Sequence, residues 1–140
     1  MENCIFCKIA AGLIPCNKVY EDENVLSFMD INPINKGHLL IIPKKHFQEV
    51  KDYDEETGMQ LFKAAIKIEK ALRETKGIKL EATSFVMANG KAAGQEVFHS
   101  HLHIIPRYEH DNMVTKINRK ENPTQEELKL LADLINEKIK

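Results

Sequence analysis

Val97-Phe98-His99-Ser100-His101-Leu102-His103-Ile104-Ile105, closed by Pro106, places a histidine at every second position. A strand has a period of two. A strand over Val97 to Ile105 therefore turns His99, His101 and His103 to one face, and Phe98, Leu102 and Ile104 to the other, ready to pack under a helix. Two strand residues advance about 6.6–6.8 Å, so three imidazoles can line one ligand. Half of the six histidines on one face is a pattern that chemistry explains better than accident. Upstream, Asn89 to Gly94 is a small-residue loop and Ser84 to Ala88 reads as another strand. Before these lies the strongest helix, Asp54 to Thr75. Leu61, Ala65, Ile68 and Leu72 recur at helical spacing there, with Phe62 and Ile66 widening the stripe. Asp54 is the expected N-cap and Gly77 the expected C′ residue.

Further toward the N-terminus, His38 to Ile42 is a compact apolar run that reads as a buried strand ended by Pro43. Pro33 and Gly37 bracket a loop. Lys18 to Glu21 and Val25 to Met29 form a hairpin around Asp22-Glu23-Asn24. Ile5 to Ala11 supplies one or two helical turns. Downstream, Thr124-Gln125-Glu126-Glu127 is a capping box after Pro123 and opens a helix carrying Leu128, Leu131 and Ile135 on one stripe. Short helix, three strands, long helix, two strands and terminal helix make an α+β fold, with a mostly antiparallel five-stranded sheet. The regular βαβ alternation of a doubly wound fold is absent.

At 140 residues the chain is one domain, spanning 1–140. Twenty Lys and Arg against 21 Asp and Glu give a net charge of −1, which argues against a domain that coats nucleic acid by charge. Its longest wholly apolar run, Leu39 to Pro43, is far below the ~20 residues of a membrane span. No basic n-region and apolar h-region open the sequence, so no secretory signal and no membrane are expected. Three cysteines are too few for a disulfide scaffold, and a cytoplasmic location fits.

The residues alone leave two chemistries open. His99, His101 and His103 suit an open zinc site. They equally suit nucleophilic and acid–base work near neutral pH. Asn89-Gly90 and Gly94-Gln95 offer close backbone approach and N–H groups for phosphate, and Asn89 and Gln95 add neutral donors. Cys4-Ile5-Phe6-Cys7 is half a zinc site. No βαβ pattern surrounds it, which disfavours a redox pair, and the histidines lie too far away for a C₂H₂ finger. Cys16 reads as an ordinary thiol, Lys44-Lys45 as a solvated pair, and Glu109-His110-Asp111 as a surface loop. Arg107 either caps its strand or meets phosphate.

Gly94 to Arg107, containing His-x-His-x-His followed by apolar residues, resembles the signature of the histidine triad (HIT) family. Asp30-Ile31-Asn32-Pro33 and Gly37 to His46 resemble its upstream blocks. The likeness covers about residues 3–107 and leaves 108–140 as a C-terminal tail and helix. It implies a HIT-like fold that forms a homodimer with a continuous sheet. It also implies a nucleotide hydrolase or nucleotidyl transferase acting at the α-phosphate of purine nucleoside phosphoramidates or dinucleoside polyphosphates, releasing a nucleoside monophosphate.

By this resemblance His101 is the nucleophile, and a covalent nucleotidyl-histidine forms and is then hydrolysed. His103 and His38 contact phosphate or orient His101. Asn89, Gly94, Gln95 and Val97 face the phosphate or leaving group. Asp30 accepts from the ribose hydroxyls, and Ile5, Phe6, Ile9 and Ile31 line the base pocket. Family members that begin with Cys-x2-Cys imply a structural zinc on Cys4, Cys7, His46 and His99, closed and without an open position. His99 is then not free for acid–base work, and another group, such as a backbone carbonyl, has to hold His101. Mg²⁺ is expected only as the companion of polyphosphate substrates. Two other readings stand beside this one: a nucleotide-binding regulatory module with weak hydrolysis, and a metallohydrolase with His99, His101 and His103 as ligands.

Overall fold

In a computed structural model that describes residues 3–114 and 116–140, the chain runs α1 (Ile5–Ala10), β1 (Lys18–Glu21), β2 (Val25–Met29), β3 (Leu39–Pro43), α2 (Glu55–Glu74), β4 (Ala82–Val86), β5 (Leu102–Arg107) and α3 (Gln125–Asn136). Met1, Glu2 and Thr115 lie outside the described residues. All strand pairings are antiparallel, in the order β1-β2-β3-β5-β4. The expected five-stranded α+β architecture is the one observed.

Period-two alternation gives the sheet two apolar faces. Val25, Leu39, Ile41, Leu102 and Ile104 pack on Leu61, Ala65, Ile68 and Leu72 of α2. Leu26, Phe28, Leu40 and Ile42 face the other way and pack on Phe6 of α1. His103 pairs with Leu40, so β5 brings it to the α1 face. Asp54 caps α2, its side chain accepting from the Thr57 N–H at 2.7 Å.

Several expectations need correction. The histidine strand begins at Leu102, not Val97, because the preceding backbone turns away from the sheet; Ser100 N–H donates to the Phe47 carbonyl at 2.7 Å. Phe98 is 45% exposed and plays no part in the core. Pro106 lies inside β5. The β3 register ends at Leu39–Ile104, so Pro106 has β4 beside it and no central ladder to break. The strand expected over Ser84 to Ala88 sits two residues earlier. Thr75 is the C-cap of α2, and Gly77, at φ +87°, lies two residues beyond it. Phe62 and Ile66 are exposed rather than part of the packed stripe.

The α3 capping box forms as expected, with Thr124 and Glu127 exchanging side-chain to backbone hydrogen bonds. Every residue of α3 is nevertheless exposed, including Leu128, Leu131 and Ile135. No helix among the described residues is long and apolar enough to cross a membrane.

Candidate functional site

The histidines are sorted by what the backbone offers each ring. His101 Nδ1 lies 2.8 Å from the His99 carbonyl. A carbonyl only accepts, so Nδ1 carries the proton and Nε2 keeps its lone pair on the pocket side. Phe6 stands edge-on against this ring, 5.1 Å between centroids and 85° between planes. His38 Nδ1 accepts the Ile34 N–H at 3.0 Å, so its proton sits on Nε2. That Nε2 is 2.9 Å from His103 Nδ1 and 3.4 Å from Asp30 Oδ2. The shorter contact makes His103 Nδ1 the acceptor, which leaves His103 with an Nε2–H donor. The His101 and His103 rings are 5.0 Å apart. Burial first, then the neighbouring His101 and His38, lowers the His103 pKa to about 4. Burial likewise lowers His38, against the pull of Asp30. Both are neutral at pH 7, as these hydrogen bonds require.

A cavity of about 680 Å³ opens over these rings, within the ~300–1,000 Å³ range of small-molecule sites. Ile5, Phe6 and Ile9 of α1 line one side, and Asp30 and Ile31 stand at the edge. Gly94 and Val97 also line it, as do His38, His101 and His103. Asp30 is held by an Asx turn, its Oδ1 accepting from the Asn32 N–H at 2.8 Å.

Asp30, His38 and His103 are close enough together to suggest a cation site, but their tautomers oppose it. A metal on His38 Nε2 would move the proton to Nδ1, directly against the Ile34 N–H. Nor do His99, His101 and His103 converge on one ion, because His99 turns Nδ1 to sulfur and Nε2 to the Pro43 carbonyl, and His101 turns Nδ1 to the His99 carbonyl. The three-histidine ligand set is therefore corrected.

A second cluster does fit a metal. Cys4 caps α1, its Sγ accepting from the Cys7 N–H at 3.4 Å. His99 Nε2 donates to the Pro43 carbonyl at 2.7 Å, which frees Nδ1 as a lone pair. Nδ1 lies 3.3 Å from Cys4 Sγ and 3.4 Å from Cys7 Sγ, and His46 Nδ1 lies 3.3 Å from Cys7 Sγ. The edges of a tetrahedral centre with metal–sulfur bonds near 2.3 Å and metal–nitrogen bonds near 2.0–2.1 Å would be about 3.5 Å. The donor set thus has the size and chemistry of a closed metal site. Burial raises the Cys7 thiol, with Cys4 adding to the effect; a bound cation offsets that cost by stabilising thiolate. Burial also lowers the His99 pKa to about 4, keeping it neutral and able to ligate.

Other expected site residues are placed elsewhere. Asn89 Oδ1 accepts from the Val50 N–H at 2.8 Å. Gln95, buried, accepts from the Gly90 N–H and donates to the Gln48 and Val97 carbonyls. Both side chains build the loop rather than line the cavity. Arg107 turns to Asp111 and Ser84 and does not line the cavity. Lys44 is ion-paired with Glu21 at 3.0 Å rather than free. Cys16 lines the cavity and packs on the second core. Asp111 is not a surface residue: its side chain is 3% exposed and binds Asn35. Sequence reasoning missed Asn35 altogether, and only the four-residue spacing of Arg107 and Asp111 hinted at their pairing.

Comparison with known proteins places this geometry. The sequence model of the HIT domain matches residues 11–110. The chain is 54% identical over 108 residues to Protein hit of Bacillus subtilis, covering 76% of this chain and 72% of that one. It is 39% identical over 110 residues to the adenylylsulfatase HINT3 of Arabidopsis thaliana, covering 79% of this chain and 55% of that one. Among solved structures, a HIT family protein from Bacillus anthracis superposes with a TM-score of 0.92 at 42% identity, covering 99% of each chain. A histidine triad nucleotide-binding protein from Candida albicans gives 0.86 at 31% identity, covering 96% of each. A zinc-bound histidine triad family protein from Mycobacterium smegmatis gives 0.74 at 35% identity, covering 98% of this chain and 99% of that one.

Proposed function

The chain belongs to the HIT domain family, and on that premise we propose that it is a nucleotide hydrolase acting at the α-phosphate of purine nucleoside phosphoramidates or dinucleoside polyphosphates. The observation that carries this reading is His101, whose Nδ1–H is tied to the His99 carbonyl while Nε2 faces the cavity. An imidazole fixed in that tautomer is a ready nucleophile at neutral pH. The Arabidopsis adenylylsulfatase and the Candida nucleotide-binding protein support a nucleotide in the pocket.

With a phosphoramidate, the Nε2 lone pair of His101 forms a bond to the α-phosphorus, and the P–N bond to the leaving amine breaks. The amine leaves with a proton from solvent. Water then attacks phosphorus, the P–Nε2 bond breaks, and its electron pair returns to His101. The products are the nucleoside monophosphate and a proton. His103 presents Nε2–H to the phosphoryl oxygens, where donors aimed at developing charge lower the barrier. His38 has both ring nitrogens engaged and is buried, so it acts through His103 rather than on substrate. Asp30 accepts from the ribose hydroxyls. Ile5, Phe6, Ile9 and Ile31 hold the base. Gly94 and Val97 bring the backbone close to phosphate, in a loop that Asn89 and Gln95 stabilise. Mg²⁺ enters only with a polyphosphate substrate.

Zinc is the ion assigned to Cys4, Cys7, His46 and His99, in keeping with the zinc-bound Mycobacterium smegmatis relative. Its contribution is structural, since four protein donors leave no position for water. A homodimer fits the surface. β4 is a sheet edge, and beside it Phe85, Phe62 and Ile66 are exposed, with Phe62 and Phe85 rings 6.1 Å apart. A reducing compartment, the cytoplasm, suits the thiol ligands. A second reading, a nucleotide-binding module with weak hydrolysis, draws on Asn89 and Gln95, whose side chains are unavailable to a leaving group.

The test is release of adenosine monophosphate from adenosine 5′-phosphoramidate by the parent and by His101→Asn at equal metal content. Release by the parent alone supports the hydrolase. Equal rates remove His101 from the chemistry. Nucleotide binding without release by either favours the regulatory module.

A further inference from the structure

Residues 106–113, most of them beyond the stretch that resembles the family motif, grip the turn that carries His38. Asp111 is nearly excluded from water, and both its oxygens are engaged. Oδ2 accepts from Arg107 Nε at 2.6 Å, Asn35 Nδ2 at 2.9 Å and the Tyr108 N–H at 3.2 Å. Oδ1 accepts from Arg107 Nη2 at 3.2 Å and the Met113 N–H at 3.1 Å. Asn35 is 2% exposed. Its Nδ2 also donates to the Pro106 carbonyl at 2.8 Å, and its Oδ1 accepts from the Asn112 N–H at 3.2 Å. Asn112 Nδ2 donates in turn to the Ile34 carbonyl at 2.9 Å.

The turn is thus clamped at Ile34 and Asn35. At its other end the His38 N–H donates to the Asn35 carbonyl at 3.1 Å. Gly37, at φ +94°, allows the close approach: a Cβ there would meet Ile78 Cδ1 at 3.0 Å and Pro106 Cγ at 3.1 Å. The Arg107 end of the ion pair with Asp111 is still partly open to solvent, so the pair is a modest source of stability in itself. Through Asn35 it is joined to the residue next to Ile34, whose N–H His38 Nδ1 accepts.

We propose that Asn35 and Asp111 are positioning residues, which hold the Ile34–His38 turn so that His38 donates from Nε2 to His103 Nδ1 and His103 presents Nε2–H to the cavity. Asn35 and Asp111 touch no substrate; they act through two imidazoles. The catalytic consequence rests on the hydrolase reading, whereas the tautomers do not.

The experiment uses the full-length, metal-loaded chain labelled with nitrogen-15 in histidine. Long-range proton–nitrogen spectra near neutral pH report the tautomer of each ring. The parent should show Nε2–H at both His38 and His103. Asp111→Asn and Asn35→Ala should mix the tautomers of these two rings and leave His99 and His101 unchanged. On a phosphoramidate, kcat should fall about 10- to 100-fold, the scale of slight misplacement of a reacting group, with KM nearly constant. Asn112→Ala removes only the bond to Ile34 from an exposed side chain and should act in the same direction, more weakly. It keeps the test decisive if the buried variants unfold.

Unchanged tautomers at His38 and His103 in the folded variants, or Nδ1–H at His38 in the parent, would overturn the proposal. Altered tautomers with no turnover in the parent would uphold the clamp and sink the hydrolase reading instead.

Discussion

His99 and His101 stand two residues apart, both buried, and use opposite ring nitrogens. His99 gives its Nε2–H to the Pro43 carbonyl and turns Nδ1 to two sulfurs. His101 gives its Nδ1–H to the carbonyl of His99 and turns Nε2 to the cavity. A backbone acceptor, rather than residue type or solvent exposure, decides which nitrogen of each imidazole keeps its lone pair and where that lone pair points. The two are also linked, because the carbonyl of His99, whose own ring turns to the sulfurs, is the acceptor that orients the His101 ring.

Breaking the nucleophile side should have the largest effect. His101→Gly is expected to lose turnover by about 10³-fold or more, with KM little changed, because the covalent route is gone. Steady-state kinetics check this, and added imidazole should restore part of the rate by occupying the vacated space. A variant that keeps most of its activity would erase the distinction between the two histidines.

Breaking the ligand side should cost stability first. Cys7→Ser or chelation is expected to remove several kcal/mol and lower Tm by roughly 10 °C. Activity per folded molecule should fall much less than in His101→Gly. Differential scanning calorimetry beside activity at low temperature separates the two quantities. A chelated protein with its Tm intact would deny the cluster any structural role.

A smaller effect sharpens the chemistry around His101. Asp30→Asn removes the charge that the proposed function sets against the ribose hydroxyls and should raise KM about 10- to 100-fold, the value of charged hydrogen bonds worth about 1.5–3 kcal/mol. An unchanged KM would place the ribose elsewhere.

The smallest effect is the response to acid. The His103 pKa is lowered to about 4 in the fold, from an unfolded value near 6.5. Between these values the unfolded chain binds more protons, so stability is full above about pH 6.5 and declines as pH falls toward about 4. Urea unfolding across this window should show that slope, and His103→Gln should lessen it, the lowered His99 and His38 supplying the rest.

Much of this arrangement was legible in the sequence. β1 and β2 follow from alternation around an Asp-Glu-Asn turn, and α2 from its stripe and its Asp54 cap. The Cys4, Cys7, His46 and His99 set came from family likeness, since no local spacing joins residues 92 positions apart. Where reading failed, periodicity reported a pattern without its partner. Phe62, Ile66 and the whole α3 stripe are amphipathic, yet they face outward. Val97 to His101 kept the histidine spacing while the backbone bonded to Phe47 instead of the sheet. The Asn35–Asp111 contact spans 76 positions and joins two polar residues that no periodic signal marks.

The most direct test of the account is to quench the metal-loaded protein with acid-free denaturant during turnover of an adenosine phosphoramidate and map the modified peptide by mass spectrometry. The account predicts an adenylyl group on the peptide containing His101, absent from His101→Asn and lost on standing in water. Turnover with no covalent adduct, or an adduct on His99 or His103, would contradict it.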